Sequence, residues 1–128
     1  MADSERRRRG VETMTKVYAG DVVTPPAGTM PFSDLMLEQL FAEVWTREAL
    51  SIRERRLVLL GIIGALGERD TFQIQVKAAL KNGELTPEQV REVVITLANY
   101  AGYPRAAAQV VATEQTIAAV EKERKERG

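Results

Sequence analysis

From Leu57 to Gly67 the chain reads LVLLGIIGALG, eleven residues without a charged or polar side chain. A helix that is apolar on every side has to be wrapped by the rest of the chain, so this run predicts a central helix. It is too short for a bilayer, which needs about 20 apolar residues. Gly61, Gly64 and Gly67 interrupt it. Each lowers helix propensity by roughly 1 kcal/mol against alanine, and close approach of another helix at all three is the expected compensation.

The surrounding sequence has no useful stretch of period-two alternation, and turn signals cut it into lengths that suit helices. A first helix is expected from about Ser4 to Tyr18, with Val11, Met14, Val17 and Tyr18 on one face and Gly20 ending it. GDVVTPPAGTMP, residues 20–31, reads as a long extended connection. A second helix opens at Ser33 or Asp34 and carries Leu37, Leu40, Phe41, Val44 and Trp45. Ser51 and Glu54 have capping-box spacing at the start of the third. The fourth, within GERDTFQIQVKAALKNG, closes on Asn82-Gly83. Thr86, Pro87 and Gln89 start a fifth, and Gly102-Tyr103-Pro104 separates it from a last helix reaching about Lys125. The expectation is an all-α, single-domain bundle of about six helices, with residues 1–31 as an N-terminal helix and connection and 32–128 as the helical body.

Composition excludes several function classes. Lysine and arginine number 18 against 18 aspartates and glutamates, so no net field favours nucleic acid or an anionic membrane. The four arginines Arg6 to Arg9 are followed by no apolar segment, so they do not open a secretory signal; they read as a solvated helix start. The expected location is cytoplasmic. Without cysteine or histidine the chain has no thiol nucleophile, no thiolate or imidazole metal ligand and no imidazole proton carrier. No metal and no cofactor are expected.

The candidate residues are therefore glutamates, arginines, aromatics and amides. Gln75 falls at the margin of the Phe72, Val76, Ala79 and Leu80 face, where it can bond to backbone at a helix crossing, stand in solvent or look into a cleft. The segment EVWTREALSIRERR is the densest mixture of charge and aromatic. Arg47 or Arg55 could hold a substrate carboxylate bidentately; Arg55, beside the apolar run, could instead be partly buried and paired with Glu43 or Glu92. Glu92 lies among valines and is a candidate acid or base. Tyr100 and Tyr103 suit a pocket wall or a packing contact equally.

FAEVWTREALSIRERRLVLL, QVKAALKNGELTPEQVREVV and ANYAGYPRAA, in this order, resemble the carboxymuconolactone decarboxylase family over about Asp34 to Ala108. RRRRGVETMTKVYAG resembles the opening helix of its decarboxylase branch. The resemblance implies an alkylhydroperoxidase D-like all-α fold, assembly into trimers or hexamers and clefts near subunit contacts. Peroxidase-like members use a glutamate, a CxxC pair and a histidine. Those positions fall on Arg56, Glu68, Thr71 and Gln75 here, so thiol peroxidase chemistry is excluded. The decarboxylase histidine is likewise Gln75, and a typical cysteine is Ala101; Glu43, Trp45, Arg47, Arg55 and Glu92 match.

On this resemblance the expected activity is non-redox, metal-free decarboxylation of a small carboxylated lactone or organic acid. Glu43, Arg55, Gln75 and Glu92 are the expected catalytic set, and Trp45, Arg47, Tyr100 and Tyr103 the substrate-binding set. The expected partners are that small molecule and further copies of the chain, without nucleic acid or membrane. A non-catalytic oligomeric binding or assembly protein on the same scaffold is the alternative.

Overall fold

A computed structural model describes residues 3–128; Met1 and Ala2 lie outside the described residues. Among these residues the regular structure is entirely helical. Helix α1 spans Glu5–Val17 and α2 Pro31–Met36, continuing as a π-helical segment over Leu37–Val44. Then come α3 (Ile52–Ala65), α4 (Arg69–Lys81), α5 (Pro87–Ala101) and α6 (Tyr103–Arg127). The expected all-α bundle of six helices is the fold observed. None of the described helices is long and apolar enough to cross a membrane. Contacts gather the chain into two compact units, one reaching to Ile52 and one from Arg53 to Gly128.

In the N-terminal unit, Ser4 caps α1 by accepting from the Arg7 amide at 3.0 Å. The arginine run is not a uniformly solvated helix start. Arg7 is buried: its Nε donates to Asp34 Oδ1 at 2.7 Å and its Nη2 to the Pro25 carbonyl at 2.8 Å, tying the extended connection to the helix. The Asp34 hydrogen bond raises the Arg7 pKa above its ordinary value. Helix α2 begins at Pro31, two or three residues before the expected Ser33 or Asp34, because the proline takes the first helical position and Asp34 turns inward to Arg7. Further along, the Leu37 backbone fills the space a Cβ on Gly10 would need. The Trp45 amide donates to Leu40 O at 3.0 Å, the five-residue reach of the π winding.

In the C-terminal unit, Leu60 and Ile63 of α3, Phe72, Val76 and Leu80 of α4, Val90 and Val94 of α5, and Ile117 and Val120 of α6 share one core. Arg69 to Gln115 at 3.0 Å and Lys77 to Glu123 at 3.7 Å show α4 and α6 running parallel. Gly102, at φ 102°, turns the chain so that α6 returns along α5. The Thr86–Gln89 capping box and Pro87 at the helix start are present as expected. The glycines of α3 differ from expectation. Only Gly64 serves a close contact, since a Cβ there would lie 2.6 Å from Leu97 Cδ2; Gly67 ends the helix at φ 77°, and a Cβ on Gly61 would meet nothing within 4 Å. Nor is α3 wrapped on every side within one chain, because Val58, Ile62 and Leu66 are exposed.

Candidate functional site

The site is built by α3 and α5, which run side by side in the same direction: Arg53 reaches Glu84 just before α5, and Gly64 abuts Leu97 within it. Between them lies a pocket of about 570 Å³, within the roughly 300–1,000 Å³ usual for small-molecule sites. Four-residue spacing brings Leu57, Gly61 and Ala65 onto one stripe of α3, and Val93, Leu97 and Ala101 onto one stripe of α5. These stripes form the apolar walls. The adjoining stripe of α5 supplies Gln89, Glu92, Thr96 and Tyr100, and the start of α3 supplies Arg53. The pocket thus carries one cation and one carboxylate on an otherwise uncharged, mostly apolar surface.

Arg53 is oriented by the backbone, its Nε donating to Glu84 O at 2.9 Å. That bond does not consume the two Nη groups, which suit a planar anion such as a carboxylate. Glu84 is itself held from within the core. Its Oε1 and Oε2 accept from Arg56 Nε and Nη2, each at 3.0 Å, and Oε2 also accepts from Asn82 Nδ2 at 3.1 Å. Arg56 is 0% exposed, and its Nη1 donates to Gln75 Oε1 at 2.5 Å. Gln75, Arg56, Glu84 and Arg53 therefore form a continuous polar chain from α4, through α3 and the connection before α5, to the pocket. Charge-assisted bidentate geometry makes the inner part of that chain stiff.

The sequence-based candidates occupy different places. Glu92 and Tyr100 line the same pocket. Gln75 is buried, but it belongs to the polar chain behind the pocket and is not in its lining. Arg55 is half-buried, whereas the completely buried arginine is its neighbour Arg56. Tyr103, exposed, lines a separate apolar groove with Val94, Ala98 and Ala106. In the N-terminal unit Glu43 is exposed and paired with Arg6 at 3.1 Å and Arg9 at 3.3 Å, and Arg47 is exposed. Trp45 is a buried core residue, stacked on Phe41 with ring centroids 6.4 Å apart.

Sequence reasoning singled out neither Arg53 nor Arg56, nor Glu84, Gln89 and Thr96, as site residues, and helical spacing could have found the two arginines. Arg53 precedes Leu57 and Gly61 by four and eight residues, which places it on the pocket stripe. Arg56 precedes Leu60 and Ile63 by four and seven, which places it on the core stripe.

The class that fold and site define is an all-α protein with a small, mostly apolar cleft lined by one arginine and one glutamate. Residues 31–119 match the model of the carboxymuconolactone decarboxylase family, and the chain belongs to that family. It is 27% identical over 122 residues to 4-carboxymuconolactone decarboxylase of Acinetobacter baylyi, covering 91% of this chain and 90% of that protein. It is 31% identical over 91 residues to nitrosuccinic acid decarboxylase npaB of Metarhizium robertsii, covering 70% of this chain and 62% of that protein. The family expected from the sequence, and its decarboxylase branch, are thus the ones found.

Proposed function

We propose that the protein decarboxylates a small carboxylic acid whose reacting carbon also carries an electron-withdrawing group, and that it does so in the α3/α5 pocket. The observation that carries this reading is a single arginine and a single glutamate lining one mostly apolar cleft in a chain of this family. The two decarboxylase relatives support it through their named substrates. A lactone carbonyl or a nitro group can take up the electron pair left behind when carbon dioxide departs.

In the proposed reaction Arg53 anchors a carboxylate, and the apolar walls favour spreading the localised charge of the reacting carboxylate into a delocalised carbanion as carbon dioxide leaves. The carbon–carbon bond breaks, its electron pair passes into the electron-withdrawing group, and the carboxyl form of Glu92 gives a proton to carbon. Solvent then reprotonates Glu92. Tyr100 can hydrogen-bond the substrate's oxygen substituents. Gln75 cannot carry a proton near neutral pH; its role is to hold Arg56, and through Glu84 to position Arg53. We propose also that the protein works as a homo-oligomer, because Val58, Ile62 and Leu66 leave an apolar ridge exposed beside the pocket.

The test is to follow 4-carboxymuconolactone and nitrosuccinate by loss of substrate and release of carbon dioxide. Turnover of at least one is expected. Arg53→Gln should lower kcat/KM by roughly 10- to 100-fold, the range for losing a charged hydrogen bond, while Glu92→Gln should act mainly on kcat. Wild-type protein that binds these acids without releasing carbon dioxide would support the second reading, a binding protein. That reading is favoured by one observation: Gln75, whose amide cannot carry a proton near neutral pH, is buried and spends its Oε1 on Arg56.

A further inference from the structure

Gly61 lies within α3, between Leu57 and Ala65 on the stripe that faces the pocket. A glycine inside a helix is less favourable than alanine, and close packing is the usual compensation. Gly64 has that compensation, with Leu97 Cδ2 at 2.6 Å and Phe72 Cε1 at 3.2 Å from the position of an added Cβ. Gly61 has none, since the space above it is open for at least 4 Å. What the missing side chain leaves open is pocket volume. The neighbouring helix α5 contributes Val93 and Leu97, both apolar, to the same pocket. A flat carbon ring laid between the two stripes would bury both its faces against carbon and still present an acid group to Arg53. A short acyclic diacid needs only the polar groups.

We propose that Gly61 sets the size limit of the pocket: its bare backbone admits a ring-shaped carboxylic acid, and any side chain at this position restricts the site to acyclic acids. The inference rests on the α3/α5 pocket being the substrate site, as proposed above, and makes Gly61 a specificity-determining residue.

Gly61→Ala and Gly61→Val in the full chain test it, with phthalate as the ring-shaped probe and succinate as the acyclic one, both measured by titration calorimetry. Gly61→Ala should raise the melting temperature and weaken phthalate several-fold. Gly61→Val should weaken phthalate at least tenfold, and both variants should leave succinate within twofold of wild type. Unchanged phthalate binding, parallel weakening of both probes, or no binding of either by the wild type would each overturn the proposal. Parallel weakening with a changed mass in light scattering would assign the glycine to a contact between copies instead. Selective loss of phthalate in a protein that releases no carbon dioxide would leave the size limit standing and remove the decarboxylase reading. Turnover of 4-carboxymuconolactone that Gly61→Val leaves intact would do the reverse.

Discussion

Arg56 heads the largest side chains that the C-terminal unit hides completely, and it survives there because Glu84 and Gln75 together take all three of its nitrogens. Breaking a buried ion pair from one side strands the other charge, which costs about 3–5 kcal/mol. Arg56→Ala should therefore lower unfolding free energy by about that amount in urea titration, with the denaturant slope unchanged. Gln75→Ala removes the amide acceptor of Arg56 Nη1 and should cost about 1–3 kcal/mol. An unaltered stability in Gln75→Ala would remove Gln75 from the polar chain. The sequence put Gln75 at the margin of an apolar face and allowed it three environments. It could not choose among them, because the partner that buries it sits nineteen residues away on another helix. Arg56 was overlooked for a different reason: four arginines crowd SIRERR and its approach from Arg47, and charge density drew the reading toward Arg47 and Arg55 rather than toward the stripe that continues into Leu60.

At the scale of helices, α3 carries two glycines with opposite duties, and the consequence is a difference in sign. Gly64→Ala would press on Leu97 and on the fully buried Phe72, an overpacking that costs about 1–3 kcal/mol against a propensity gain of about 1. A net loss of about 1 kcal/mol is expected by calorimetry, whereas Gly61→Ala should gain. Composition treats the two glycines alike; only the neighbouring helix distinguishes them. The pairing of α5 with α6 gives a pH-dependent counterpart. Arg91 Nε and Nη2 meet Glu114 Oε2 and Oε1, each at 2.9 Å, and these hydrogen bonds hold the Glu114 carboxyl below its ordinary pKa and raise that of Arg91. A depressed folded-state pKa contributes stability that is complete above the unfolded value and fades as pH falls through the folded one. Melting temperatures of wild type and Glu114→Gln should therefore differ modestly at pH 7 and converge below the ordinary glutamate range. A gap that persists at the lowest pH would assign the difference to packing. Both residues are exposed, so the neutral-pH gap should also shrink in high salt.

For the molecule as a whole, helix number and order were legible because each boundary carries a local signal, such as Thr86 with Gln89 or the turn at Gly102. The expectation that α3 would be wrapped on every side failed along one of its faces. Val58, Ile62 and Leu66, spaced four apart, form a continuous apolar ridge, and they are 53%, 53% and 63% exposed. A ridge of this kind, next to a pocket whose Tyr100 is also exposed, is the surface that contact with another copy would remove from water. Light scattering at micromolar concentration should give a multiple of the 14.2 kDa chain mass. Ile62→Glu places a charge at the centre of the ridge, where burial is strongly unfavourable, while leaving the chain's own core residues untouched. It should reduce the particle to 14.2 kDa with helical circular dichroism retained. A wild-type monomer would show that the ridge tolerates water unaided; an Ile62→Glu protein still assembled would place the contact on another face.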